Sequence, residues 1–297
     1  CLYSVTLLSD KQPLLRYMAP LTTGRMIMAY ILPGPKTSAR LHAGKTLFRH
    51  GLNYDEDAVA SAARGFIPPA QIILDRAEGD YVWDLDDNRY IDFQNGWATN
   101  PLGNCHPEVL QSVQDAHQRY GYHWEHPLRF ELAEQLADIM PGKQLPRFTF
   151  EVSGTEAVES AVHTALCYKK RRYIISFTSS FHGAGMGTKV ISGYTSEHNL
   201  YMEPWGAAVI KAPYPYSQNI PADMTPEQYV NYCLWYLESH IPEYIVPAEN
   251  IAAILVEPGL AEGGNWIPSV DFIQGIRRIC DENDWLMIVD EVLTGLG

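Results

Sequence analysis

The chain has no C-x-x-C pair, no excess of basic charge and no apolar run of bilayer-spanning length. Its cysteines (Cys1, Cys105, Cys167, Cys233 and Cys280) are odd in number and widely spaced. That argues against a disulfide scaffold and against the usual zinc spacing, and it fits reduced thiols in a cytoplasmic protein. The formal net charge is −13, so no basic face is expected for a nucleic acid, and the acidity reads as solubility. The stretch Met26 to Leu32 is apolar but far short of the roughly 18 residues a membrane span needs, so no membrane partner is expected. There is no internal repeat, no low-complexity tract and no G-K-[ST] phosphate loop. Residues 1–40 show no clear periodicity and no signal or transit peptide. The sequence opens on Cys1 rather than Met, which leaves its start open to loss, processing or misassignment.

What is present is an ordinary globular mixture, 46% hydrophobic and 19% charged, over 297 residues, enough for one large domain or two smaller ones. "GDYVWDLDDNRYIDF" (79–93) predicts a hairpin turning at Asp86-Asp87-Asn88. A helix is expected from Pro107, with Val109, Leu110, Val113 and Ala116 on one stripe, and a second over Leu128 to Met140. From about Phe148 the pattern alternates. "FTFEV", "YIISFT", "IAAILVEP" and "WLMIVDEV" read as strands. "SGTEAVESAVHTALCYKK" and "VDFIQGIRRICDEND" read as helices. The segment from about Pro213 to Glu249, rich in Pro and Tyr, reads as an excursion with a helix over Pro226 to His240. Such alternation predicts an α/β fold, a mostly parallel sheet between two helix layers, with ligands bound beyond the carboxyl ends of the strands.

Three features fall at strand ends. In "EVSGTEAVESA", Ser153, Gly154 and Thr155 open a helix whose free N–H groups suit an anion; an ordinary capping box is the other reading. In "SFHGAGMGT", Phe181 can stack on a planar ligand, and His182 reads either as a satisfied structural histidine or as a catalyst. Glu257 and Asp290 each end an apolar strand, where a carboxylate is costly without a cation or a donor. A helix cap or a metal would also account for Asp290. One ligand would satisfy all three features, with a phosphate at Gly154–Thr155, a flat ring beside Phe181 and a protonated ring nitrogen facing Asp290. Pyridoxal phosphate has that chemistry.

At these residues the sequence resembles the class III aminotransferases, pyridoxal-phosphate enzymes of fold type I. The likeness runs from about Gly79 to Gly297. It rests on "GDYVWDLDDNRYIDF", "LGNCHPEV" (with Asn104 where histidine is usual), "SGTEAVESA", "SFHG", "VEPGLAEGG" and "VDEVLTGLG". The resemblance implies an N-terminal segment over 1–78 and a cofactor-binding large domain over 79–297, without the family's C-terminal small domain. It implies that Gly154 and Thr155 hold the phosphate, with Ser153 beside them. Phe181 and Val292 would flank the ring, Asp290 would pair with its nitrogen, and His182 and Glu257 would lie close by. Leu293 stands where many members carry Gln or Met near the ring hydroxyl. Trp97 would line the substrate pocket.

The implied reaction is transfer of an amino group from an amino acid or amine to a keto acid or aldehyde, in a homodimer. A racemase or aminomutase of the same family is an alternative, and so is an inactive homologue. The family's Schiff-base lysine follows the "DEV" aspartate by a few tens of residues. No lysine follows Asp290 here, and the last in the chain is Lys211. The 297 residues are therefore expected to be part of a longer enzyme and not to complete transamination alone.

Overall fold

The computed structural model describes residues 34–44, 73–120, 125–143, 147–196, 206 and 208–295. Cys1, the stretch Met26 to Leu32 and the last two residues of the closing glycine turn lie outside these. The chain divides into two compact units, residues 1–124 and 125–297. The boundary expected at 78/79 falls inside the first.

In the first unit, helix α1 spans Pro35–Gly44. Strands β1 (Leu74–Glu78), β2 (Tyr81–Asp84) and β3 (Arg89–Ile91) form an antiparallel sheet in that order. The hairpin turns as expected, and Asp84 explains why. Its buried carboxylate accepts from the Asp86 and Asn88 backbone N–H groups, the Asn88 amide and the Tyr90 hydroxyl, all at 2.6–2.9 Å. These bonds hold it below the usual carboxylate range against the opposing effect of burial. Helix α1 had no periodicity to announce it. Its first donors are satisfied from outside the element, because Asp86 accepts from the Lys36 and Thr37 N–H groups at 2.8 and 2.9 Å. Asn104 bridges the loop to the hairpin, its amide donating to Asp92 at 2.9 Å. Helix α2, Pro107–Tyr120, starts at the expected proline, yet Val109, Leu110 and Val113 are exposed.

The second unit opens with α3 (Pro127–Ile139) and α4 (Gly154–Lys169). Then come β4 (Tyr173–Phe177), α5 (Met186–Ile191), β5 (Val209–Ala212) and α6 (Pro226–Trp235). Helix α6 continues as a π-helix, Tyr236–Ile245, that carries Pro242. Strand β6 (Ile251–Val256), α7 (Val270–Glu282) and β7 (Leu286–Val289) complete the unit. The four strands form a parallel sheet in the order β5-β4-β6-β7.

Its two faces carry two cores. On one, Ile175, Phe177, Ile254 and Val256 meet Cys233, Leu237 and Ile241 of the excursion helices and Phe272, Ile276 and Ile279 of α7. On the other, Ile174, Ala253 and Leu255 meet Val158, Val162 and Ala165 of α4 and Ile191 of α5. Every residue of β6 is buried, as its unbroken apolar run predicts. Full burial of side chains such as Phe272 or Ile276 contributes about 2 kcal/mol each. The three-layer α/β arrangement stands.

One expected strand does not form. Phe148 to Val152 is irregular, with Val152 94% exposed. A strand needs a partner for its N–H and C=O groups, and no described strand pairs with this segment. Strand β5, unforeseen, forms from only four residues because it docks on β4 in parallel register, Lys211 opposite Ser176.

Candidate active site

The carboxyl ends of β4, β6 and β7 converge with the start of α4, all within the second unit. Strand β4 runs into the loop bearing Phe181 and His182. The Phe181 N–H donates to Glu257 Oε1 at 2.8 Å, and the Ala261 N–H donates to Oε2 at 3.0 Å. Glu257 is buried, and burial pushes its carboxyl above the ordinary range. Its two oxygens thus brace the backbone of two loops. The Phe181 ring is half-buried, edge-on to Tyr194 at 6.0 Å between centroids.

Asp290 ends β7. Its N–H donates to the Val256 carbonyl at 2.8 Å, tying the end of β7 to the end of β6. Its side chain is only 5% exposed. Oδ1 accepts from the Val292 N–H at 3.1 Å, and Oδ2 pairs with His182 Nδ1 at 2.8 Å. The aspartate fixes the ring's orientation and the nitrogen that carries the proton. His182 is fully buried at its side chain, and its Nε2 has no hydrogen-bond partner among the described residues. Its backbone N–H donates to Ser192 Oγ at 2.8 Å, and that hydroxyl donates to the Thr188 carbonyl at 2.8 Å. So His182 is neither an isolated core residue nor a free base; it is held at both ends.

At the start of α4, Ser153 Oγ accepts the Glu156 N–H, the capping contact foreseen as the alternative. Capping uses one donor and leaves the N–H groups of Gly154 and Thr155 without a partner inside the helix. Gly154 lies against the turn after β7. A Cβ built on it would stand 2.8 and 3.0 Å from the methyl carbons of Val292. Val292 itself is 70% exposed, and Leu293 is exposed beside it.

The structure therefore brings together seven of the sequence-derived residues, namely Ser153, Gly154, Thr155, Phe181, His182, Asp290 and Val292, with Glu257 behind Phe181. Trp97 sits in a helical turn, Asn95–Ala98, of the first unit, and its side chain lies outside the described residues. Ser192 and Lys211 had no sequence signal. Lys211 Nζ is spent on Ser176 Oγ, at 2.8 Å, and on the Ile191 carbonyl. Among the described residues no cluster of three or more His, Cys, Asp or Glu could hold a metal, so the metal reading of Asp290 has no support there.

The residues fit pyridoxal phosphate, the cofactor implied for this family. An oriented, nearly buried carboxylate stands with lone pairs to spare, and the first N–H groups of α4, which have no partner within the helix, lie beside an exposed apolar side chain.

Residues 62–297 match the family described as aminotransferase class III. A probable 4-aminobutyrate aminotransferase of Bacillus subtilis is 34% identical over 226 residues, 75% of this chain and 52% of its own. Glutamate-1-semialdehyde 2,1-aminomutase 2 of Lachnoclostridium phytofermentans is 33% identical over 84% of this chain and 55% of its own. Among solved structures, an amine transaminase of an uncultivated Pseudomonas species, in a PLP-bound form, superposes with a TM-score of 0.71 at 27% identity. That match covers 76% of this chain and 53% of that one. The chain spans about half the length of the curated relatives it matches. With a match over most of its length, it belongs to the class III aminotransferases.

Proposed function

We propose that this protein is a pyridoxal-phosphate-dependent aminotransferase that moves an amino group from an amino acid or amine to a keto acid or aldehyde. The pairing of His182 with Asp290 at the mouth of the sheet, opposite the open start of α4, carries the reading. Gly154 and Thr155 would hold the phosphate through backbone N–H groups, helped by the Ser153 and Thr155 hydroxyls. Phe181 and Val292 would flank the ring. When bound, the cofactor supplies an electron sink for the carbon that loses its proton.

The chain's own residues set that sink up. The His182 Nδ1–H and the Val292 N–H each hold one oxygen of Asp290, so the carboxylate is aimed before any ligand arrives. A carboxylate so placed favours the protonated form of a ring nitrogen. Glu257 keeps Phe181 in place through its N–H. No residue after Asp290 is a lysine, and Lys211 is engaged elsewhere, so no amine of the described site is assigned to proton transfer. A homodimer and a cytoplasmic location belong to this proposal. The location is supported by free Cys105, Cys167, Cys233 and Cys280.

The test is a titration of the protein with pyridoxal phosphate, followed by fluorescence, and then addition of an amino donor followed by absorbance. Saturable binding is expected; its absence would sink the reading. A second reading, aminomutase or racemase, is favoured by the 33% identity to an aminomutase. Incubation of one amino-acid enantiomer, or of one amino aldehyde, without a keto acid separates the two, because a racemase or an aminomutase rearranges a single substrate and needs no acceptor, whereas an aminotransferase does.

A further inference from the structure

Lys211 is half-buried in the second unit and serves none of the roles above. Alternation along β5 sends Ile210 and Ala212 into the core shared with α7, and Lys211 to the other face. There its ammonium reaches under the last turn of α5, where it donates to Ser176 Oγ and to the carbonyl of Ile191. Ser176, itself fully buried, donates to the same carbonyl at 2.6 Å. No acidic side chain pairs with Lys211 among the described residues, and burial pushes its amine down to about 7. An ammonium buried without a carboxylate is a cost to the fold. The Ile191 carbonyl already has the Ser176 hydroxyl, so satisfying that oxygen does not account for the lysine.

What Lys211 does hold is a peptide plane. The Ile191 carbonyl and the Ser192 nitrogen share one planar unit, so fixing that oxygen fixes where Ser192 leaves the helix. Ser192 Oγ accepts the His182 N–H, and His182 Nδ1 holds Asp290. We propose that Lys211 is a positioning residue that clamps the end of α5, so that Ser192 holds His182 against Asp290 and the cofactor site keeps its shape. The proposal rests on the aminotransferase reading only for the identity of the ligand; the clamp on His182 stands without it.

Two variants test it, Lys211→Met and Ser192→Ala, with three readouts: pyridoxal phosphate affinity, thermal midpoint, and the downfield proton resonance of the His182–Asp290 hydrogen bond without cofactor. Lys211→Met is expected to weaken affinity about tenfold and to shift or broaden the resonance, while the thermal midpoint at pH 7 holds or rises. A merely structural lysine would lower midpoint and affinity together. Ser192→Ala is expected to reproduce the affinity loss, and the double variant to be no weaker than the worse single one, because both cut one chain of contacts. Affinity within twofold of the parent and an unmoved resonance in Lys211→Met overturn the proposal. So do fully additive losses in the double variant. If the parent protein binds no pyridoxal phosphate, the aminotransferase reading fails, and the resonance alone still decides the clamp.

Discussion

Strands β6 and β7 lie side by side, and each ends in a carboxylate, but the two ends differ in kind. Glu257 spends one oxygen on the Phe181 N–H and the other on the Ala261 N–H. It is wholly committed to the backbone. Asp290 is oriented by a single backbone donor and by His182, a side chain whose second nitrogen has no partner among the described residues. A carboxylate locked by main-chain donors is architecture. One held by a buried imidazole, with lone pairs to spare, is equipped to meet a further cation.

The largest effect is expected where that difference bears on stability. Glu257→Ala orphans two N–H groups beneath the site and should destabilise the fold by about 3 kcal/mol, read from urea midpoints. The charge behaves differently from the bonds. Burial raises the Glu257 carboxyl above its value in the unfolded chain, so the folded state holds this proton more tightly. Its contribution to stability is complete below the unfolded value and is lost as pH rises through the folded one. Glu257→Gln removes that titration and should flatten stability over the same interval. If both variants behave like surface substitutions, Glu257 is not the brace it appears in the hydrogen bonds.

Asp290→Asn should show the opposite profile. The amide keeps the shape and its one oxygen can still accept from His182; its NH2 then faces the Val292 N–H and loses that exposed bond, so stability should fall by only about 1 kcal/mol, less than in Glu257→Ala. It cannot favour a protonated ring nitrogen, and affinity for pyridoxal phosphate should fall about thirtyfold, near 2 kcal/mol. A large loss of stability with unchanged affinity would reverse the assignment of the two strand ends.

A half-buried cation sharpens the contrast. The Lys211 amine titrates at about 7 in the fold and at 10.5 otherwise. Between those values the unfolded chain binds more protons, so stability should rise with pH, by about 2 kcal/mol from pH 7 to 9. Lys211→Met should erase that slope. A slope unchanged in the variant would show that other groups produce it.

Much of this was legible beforehand, for reasons that also explain what was not. Strand β6 is apolar throughout because both its faces are covered, and α7 shows its inward Phe272, Ile276 and Ile279 at helical spacing. The residues of the site sit at the ends of such elements, so Glu257 and Asp290 stood out as acids that an apolar strand should not contain. Three things were hidden because each depends on a partner distant in sequence. Helix α1 takes its cap from Asp86, about fifty residues on. Strand β5 exists because it docks on the edge of β4, whereas Phe148 to Val152, with comparable β-propensity, pairs with no described strand. Ser192 and Lys211 matter only through the fold of α5 against the sheet. Helix α2 shows the converse: its apolar stripe lies at helical spacing, yet Val109, Leu110 and Val113 are exposed, because periodicity names a face and not what covers it.

The smallest effect belongs to the place where the two turns touch. Gly154 opens α4 without a left-handed backbone, so alanine there should not strain the helix and should raise stability slightly. The added carbon would nonetheless meet the Val292 methyls at 2.8 and 3.0 Å, closer than carbons pack. Val292 is exposed and can turn aside, which makes the clash cheap for folding. It is less cheap for the site, because the Val292 N–H holds Asp290 Oδ1 and any shift of that turn reaches the carboxylate. Gly154→Ala should therefore weaken pyridoxal phosphate binding about fivefold at equal or higher thermal midpoint. Val292→Ala added to it removes the clashing methyls and should restore part of the loss. If Gly154→Ala binds as the parent does, the close approach of the two turns is packing alone, and the difference between the strand ends rests on His182.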